Sequence, residues 1–115
     1  GMISNINHLI RLHNIGIFKN RSLKKVKSCN MSFFRKDMLA VNGFNEDFVG
    51  WGNEDSELAY RFFKYGLVKK VPLFMAICFH MWHESNKFPD SNKRILLETM
   101  SKDEYFCANG IIKKG

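Results

Sequence analysis

Apolar positions along the chain change period several times, and each change marks an element. Leu58, Ala59, Phe62 and Phe63 recur at spacings of three and four, which predicts a helix over 54–66. Asn53 stands where an N-cap belongs, Lys64 lies in the last turn, and Gly66 is a natural residue to end on. Glu57 and Arg61 form an i,i+4 pair on another face of this helix. Residues 67–71 then read as a strand ended by Pro72, and 73–81 as a second strand, apolar throughout and so covered on both faces.

Upstream, the short apolar run 29–34 reads as a buried strand, and 36–41 as a short helix stopped by Asn42-Gly43. Residues 44–49 are a loop. Downstream, 92–100 and on to about 106 read as one or two helices, with Ile95, Leu96, Met100 and Phe106 facing inward. Ser91 and Ser101 are candidate starts, and Cys107-Ala-Asn-Gly110 looks like a C-terminal cap. No period persists over 2–18, where a short strand or helix fits only around 7–12, and 20–28 reads as a polar, basic loop. The class is α/β: a few short strands with flanking helices.

Composition bounds this picture. A chain of 115 residues, 45% hydrophobic and with eleven Phe, suits one small globular domain with a modest core. No apolar run is long enough to span a membrane, and no signal-peptide pattern is visible. Three cysteines without metal-type spacing (Cys29, Cys78, Cys107) imply reduced thiols and a cytoplasmic setting. The net charge of +7 is uneven: residues 1–36 carry eight of the eighteen basic residues and none of the eleven acids. Such an arm suits a solvated tail, a phosphorylated ligand or peripheral contact with an anionic membrane face. It carries no nucleic-acid reading motif.

The chemistry concentrates in residues 42–57, which hold five carboxylates and a tryptophan between two glycines. Acids at a helix start complement the helix dipole, and that alone accounts for many such pairs. Here Gly50-Trp51-Gly52 directly precedes Glu54 and Asp55. An aromatic face beside a carboxylate is how a floor for sugar C–H groups with a general base next to it can be built. Asp47 is open to two readings, loop capping or substrate contact. His80 and His83 lie three apart at the end of the second predicted strand, on opposite faces of an extended chain, so they do not share one metal without a turn.

The segments Asn30-Met-Ser-Phe-Phe-Arg-Lys-Asp37 and Val41-Asn-Gly-Phe-Asn-Glu-Asp-Phe-Val-Gly-Trp-Gly-Asn-Glu-Asp-Ser-Glu-Leu58 resemble the C-terminal half of family 2 and family 7 glycosyltransferases. Phe79-His-Met-Trp-His83 and Cys107-Ala-Asn-Gly-Ile111 extend the likeness, which covers about residues 28–112. The resemblance implies a GT-A fold whose N-terminal half binds a nucleotide-diphospho-sugar and whose C-terminal half binds a saccharide acceptor. It places Asp55 as the general base of an inverting transfer, with Glu54, Trp51, Gly52 and Asp47 on the acceptor side. It also implies a divalent ion, usually manganese, held by an Asp-x-Asp motif and a histidine, His80 by position or His83 as the fallback.

No Asp-x-Asp occurs in these residues, and no leading βαβ pattern precedes them. The expectation is therefore a basic segment (1–27), an acceptor-side domain (28–112) and a tail (113–115), inactive alone. Self-association follows from a sheet edge left unpaired. The setting implied by family habit is bacterial surface polysaccharide synthesis. The competing expectation is a non-catalytic carbohydrate- or partner-binding module.

Overall fold

The structure, a computed structural model, describes residues 17–72, 78–79, 81–84 and 89–114. These fall into two compact units: one takes in the described residues up to Asn20 together with those from Val68 to 84, the other Arg21–Leu67 and the described residues from 89 on. The expected element around 7–12 lies outside the described residues, as do 73–77 and His80 of the second expected strand.

In the first unit, β1 (Ile17–Asn20) pairs antiparallel with β2 (Lys69–Pro72), with Ile17 opposite Pro72 and Asn20 opposite Lys69. Proline lacks the N–H that a ladder needs, so Pro72 sits at the strand end. β1 is too short to stand out by pattern, and it takes its strand form from β2. Beyond β2, Cys78, Phe79 and Met81 have no regular structure, and Phe79 and Met81 are 60% and 68% exposed. Cover on both faces, expected for 73–81, does not hold at those two positions.

The second unit holds α1 (Arg35–Ala40), α2 (Glu54–Tyr65) and α3 (Asp90–Ser101). Val41, Leu58 and Phe62 form its core, with Met38 and Leu67 packed against it and the Phe33 ring 5.6 Å from that of Phe62. Burying each such side chain contributes about 1.5–3 kcal/mol.

The end of α2 follows local rules. Gly66 adopts φ 108°, its N–H donates to Phe63 O, and the Leu67 N–H donates to Phe62 O at 2.9 Å. That is a Schellman motif, and Leu67 packs on the cluster containing Phe62, as such a motif favours. Lys64 Nζ reaches across to the carbonyls of Thr99 and Lys102 at the end of α3, where Thr99 O also accepts from the Lys102 N–H at 3.3 Å. Burial lowers the Lys64 pKa, and the nearby Asp103 and Glu57 carboxylates oppose that shift.

Three sequence expectations are corrected here. Residues 29–34 are not a buried strand: a 3₁₀ turn (Ser28–Asn30) leads into extended, mostly exposed chain, with Phe34 74% exposed. A short apolar run carries no period, and here only Phe33 among its rings finds a partner in the core. A single helix ends at Ser101, so Ser101 starts nothing and Ser91 caps nothing; the residue before α3 is Pro89. Cys107–Gly110 caps no helix either. It runs back against the end of α1, where the Cys107 N–H donates to Val41 O at 3.1 Å. Among the described residues no helix is long and apolar enough to cross a membrane.

Candidate functional site

The segment between α1 and α2 departs repeatedly from ordinary backbone conformation. Asn42, Gly43, Gly50, Gly52 and Asn53 all take positive φ. At Gly50 nothing lies within 4 Å of where a Cβ would be, so the glycine answers to φ 71° and not to crowding. A chain this irregular needs holding from outside, and three buried polar residues do so.

Asn42 binds the C-terminal segment. Its Nδ2 donates to Cys107 O at 2.6 Å and Ile112 O at 2.8 Å, while its Oδ1 accepts from the Ile112 N–H at 2.7 Å. A Cβ at Gly110 would meet Asn42 O at 1.8 Å, so only glycine fits that crossing. Arg61 holds the same end of α1 from below: its Nη1 donates to Val41 O at 2.7 Å and its Nη2 to Gly43 O at 2.8 Å. Glu57 neutralises it with a two-pronged pair, both contacts at 2.9 Å, and accepts from Thr99 Oγ1 on α3 at 3.0 Å. The i,i+4 pair read from the sequence is thus fully buried and joins three segments.

Asn92 is the third. It is 0% exposed, in the first turn of α3. Its Nδ2 donates to Val49 O at 2.9 Å and Gly52 O at 3.2 Å, with Trp51 O at the outer limit of 3.5 Å. Its Oδ1 accepts from the Val49 N–H at 3.3 Å. Sequence reading missed it, yet a signal existed. The inward stripe of α3, Ile95 and Leu96, extends back by three and four residues to Asn92. A polar residue in an apolar stripe asks for a buried partner.

Around this frame the sequence-predicted residues take their places. Trp51 is 56% exposed. Glu54 Oε2 accepts from the Gly52 N–H at 2.8 Å, so this acid first closes the turn before its own helix. Asp55 is half-buried; its Oδ2 accepts from the Ser28 N–H at 3.1 Å and its Oδ1 from the Ser56 N–H at 2.7 Å. Asp47 is exposed and accepts from Asn109 Nδ2 at 2.8 Å, a contact that fastens the loop.

Asn53 precedes α2 as expected but does not cap it with its side chain. It sits at φ 69°, and its carbonyl accepts from the Glu57 N–H at 2.9 Å. Asparagine serves there because it tolerates left-handed backbone.

The described residues do not assemble a metal centre: no three His, Cys, Asp or Glu among them come together to hold an ion. His83 is exposed with Nδ1 2.8 Å from Glu84 O, and His80 lies outside the described residues. A shallow concavity lined by Ala40, Asp103, Glu104, Tyr105, Phe106 and Lys114 shares no residue with the Trp51 loop. What the loop and the start of α2 present is an open platform: one aromatic face with two carboxylates beside it in sequence.

Residues 17–84 match the family described as the N-terminal domain of galactosyltransferase. Over 42 residues the chain is 50% identical to validoxylamine A glucosyltransferase of Streptomyces hygroscopicus subsp. jinggangensis, covering 36% of this chain and 10% of that one. It is 37% identical over 51 residues to human chondroitin sulfate N-acetylgalactosaminyltransferase 2, covering 44% and 9%. It thus spans about 10% of the length of the curated relatives it matches. No solved structure matches it. With more than half of its residues inside the family match, the chain belongs to this galactosyltransferase-type family of glycosyltransferases.

Proposed function

We propose that the chain supplies the acceptor side of an inverting sugar transfer. The observation that carries this reading is the run from Gly50 to Asp55, with an exposed indole held next to a helix start bearing Glu54 and Asp55. The Trp51 face packs on the C–H face of an acceptor sugar. Gly52 keeps the backbone low beside it, and Glu54 and Asp47 offer oxygens to acceptor hydroxyls. Asp55 takes the proton of the attacking hydroxyl as its oxygen bonds to the anomeric carbon of a nucleotide-diphospho-sugar, and the nucleoside diphosphate departs with the electron pair.

The family is described as an N-terminal domain, whereas this reading assigns these residues to the acceptor side, which in the GT-A arrangement is the C-terminal half. These residues contain no Asp-x-Asp, so on this reading they transfer no sugar alone, and no step here runs through a manganese-type ion. His80, with His83 as fallback, is the ligand that the reading reserves for such an ion. The basic residues before position 28 suit the cytoplasmic face of an anionic membrane, in keeping with bacterial surface polysaccharide synthesis.

The other reading, a carbohydrate- or partner-binding module without catalysis, is favoured by one observation. Both oxygens of Asp55 already accept backbone N–H groups.

Saturation-transfer NMR against methyl glycosides of glucose, galactose, N-acetylglucosamine and N-acetylgalactosamine tests the acceptor side. Binding to at least one, lost in Trp51→Ala, is the expected result; binding indifferent to Trp51→Ala overturns it. Exposed apolar side chains, Val68, Trp82 and Ile112 among them, underlie a further proposal, self-association. A sedimentation coefficient independent of concentration contradicts it.

A further inference from the structure

The segment from Cys107 to Lys114 folds back on itself as a hook and closes over Asn42. The Lys114 N–H donates to Ala108 O at 3.0 Å, and Asn109 forms an antiparallel bridge with Lys113. The Asn42 side chain fills the hook with three hydrogen bonds, to Cys107 O, Ile112 O and the Ile112 N–H. The Ile111 N–H returns to Asn42 O at 2.9 Å, and Gly110 crosses that carbonyl where any Cβ would collide. The hook is thus fixed to the end of α1 by buried contacts.

Its rim meets the loop 44–49 at two consecutive residues. The Glu46 N–H donates to Asn109 O at 2.8 Å, and Lys113 Nζ pairs with the Glu46 carboxylate. Those two contacts fasten the loop without any help from the Asn109 side chain. That side chain adds a third contact, from Nδ2 to Asp47 Oδ1 at 2.8 Å. An exposed hydrogen bond of this kind adds little stability, because water replaces it at nearly equal strength. What water does not supply is direction.

An aspartate side chain has three staggered χ1 wells, and a donor held at one point selects among them. Asn109 is held at one point, by Glu46 on its carbonyl and by its bridge to Lys113. Turning the amide over would set its oxygen against a carboxylate oxygen, which fixes Nδ2 as the atom facing Asp47. The Asp47 backbone is set as well, since its N–H closes a turn on Asn45 Oδ1 at 2.9 Å. With Oδ1 on Asn109, Oδ2 is the oxygen turned to other donors.

We infer that Asn109 is a positioning residue for the acceptor: it aims the Asp47 carboxylate so that Oδ2 meets an acceptor hydroxyl. The inference rests on the reading of Asp47 as an acceptor contact. It brings into the acceptor site a segment 62 positions away along the chain. Asn109 acts through Asp47 and touches no sugar.

The test is a double-substitution cycle of Asn109→Ala, Asp47→Ala and the two together, each fold checked by circular dichroism and thermal denaturation. Every chain is titrated with the methyl glycosides of glucose, galactose, N-acetylglucosamine and N-acetylgalactosamine. The Asp47 χ1 rotamer is read by NMR from three-bond couplings to its carboxyl carbon. Asn109→Ala is expected to melt with the unaltered chain, to show averaged Asp47 couplings, and to lose about threefold in affinity, the share of one well in three. Asp47→Ala loses a charged hydrogen bond and about tenfold in affinity, and the double variant loses no more than that. Additive losses overturn the proposal, because Asn109 would then act without Asp47. Unchanged couplings or unchanged affinity in Asn109→Ala overturn it too.

If none of the four glycosides binds the unaltered chain, or if Asp47→Ala binds as well as it does, the acceptor reading of Asp47 fails and the proposal with it; the couplings still show whether Asn109 aims Asp47. Should Asn109→Ala not fold, the unaltered chain decides. A single Asp47 rotamer there supports the proposal, and rotamer averaging overturns it.

Discussion

The two ends of α2 are built on opposite plans. At the C-terminal end everything needed lies within a few residues: Gly66 in the left-handed region, two backbone hydrogen bonds and the Leu67 contact close the helix locally. At the N-terminal end local contacts, such as Glu54 Oε2 on the Gly52 N–H, are joined by distant ones. Asn53 fails to cap with its side chain, and Asp55 is met by Ser28. The loop before it is held by Asn42, Arg61 and Asn92, which reach to the C-terminal segment, α2 and α3. One end is finished by propensity and the other by distant side chains. The second is the end that bears Trp51, Glu54 and Asp55. The backbone on either side of Trp51 is tied to Asn92 of α3.

The largest way to break this contrast is Arg61→Ala, which strikes the long-range plan at its centre. It leaves Glu57 buried without its cation and the carbonyls of Val41 and Gly43 without that donor. The expected loss is roughly 3–5 kcal/mol, read by urea denaturation.

A paired substitution sharpens the contrast. Gly66→Ala forces a Cβ into φ 108° at the locally closed end, for about 2 kcal/mol of stability. Gly50→Ala, at φ 71° in open space, costs about 1 kcal/mol, and its main effect is on glycoside binding. Thermal denaturation of the two variants beside a glycoside titration separates them. Equal losses of both properties in both variants would dissolve the distinction.

The plan was unevenly visible before the structure. α2 follows from apolar spacing, because Leu58, Ala59 and Phe62 on one of its faces are buried. Trp51, Glu54 and Asp55 were found as a group because they are contiguous. The residues that hold them were not. Asn42 looked like part of a turn signal, Glu57 and Arg61 like an ordinary helical pair, and Asn92 like an ordinary residue near a helix start. Each acquires its role from a partner 18 to 70 positions away, which no local pattern encodes. The run 29–34 misled for a related reason: strand formation depends on a neighbour, and that neighbour is absent among the described residues.

The smallest expected effect concerns Cys107, which lies against the end of α1. Burial raises its thiol pKa, with the Arg61 charge opposing that shift. A raised folded value means that the neutral thiol is favoured in the native state. Its contribution is complete below the ordinary thiol range and is lost as pH rises through the raised value. Native-state alkylation is expected to label exposed Cys29 well before Cys107, with Cys107 catching up only on unfolding. Equal rates would place the C-terminal segment away from Val41.

The most direct test of the central claim is to map where a sugar sits. The ¹⁵N-labelled chain is titrated with the best-binding methyl glycoside, and amide and indole shifts are followed residue by residue. The largest changes are expected at the Trp51 indole N–H and the amides of Gly50, Gly52, Glu54 and Asp55, with smaller ones at Val49 and Asn92. Shifts centred on Trp82, or on the concavity formed by Ala40, Tyr105 and Phe106, would contradict it.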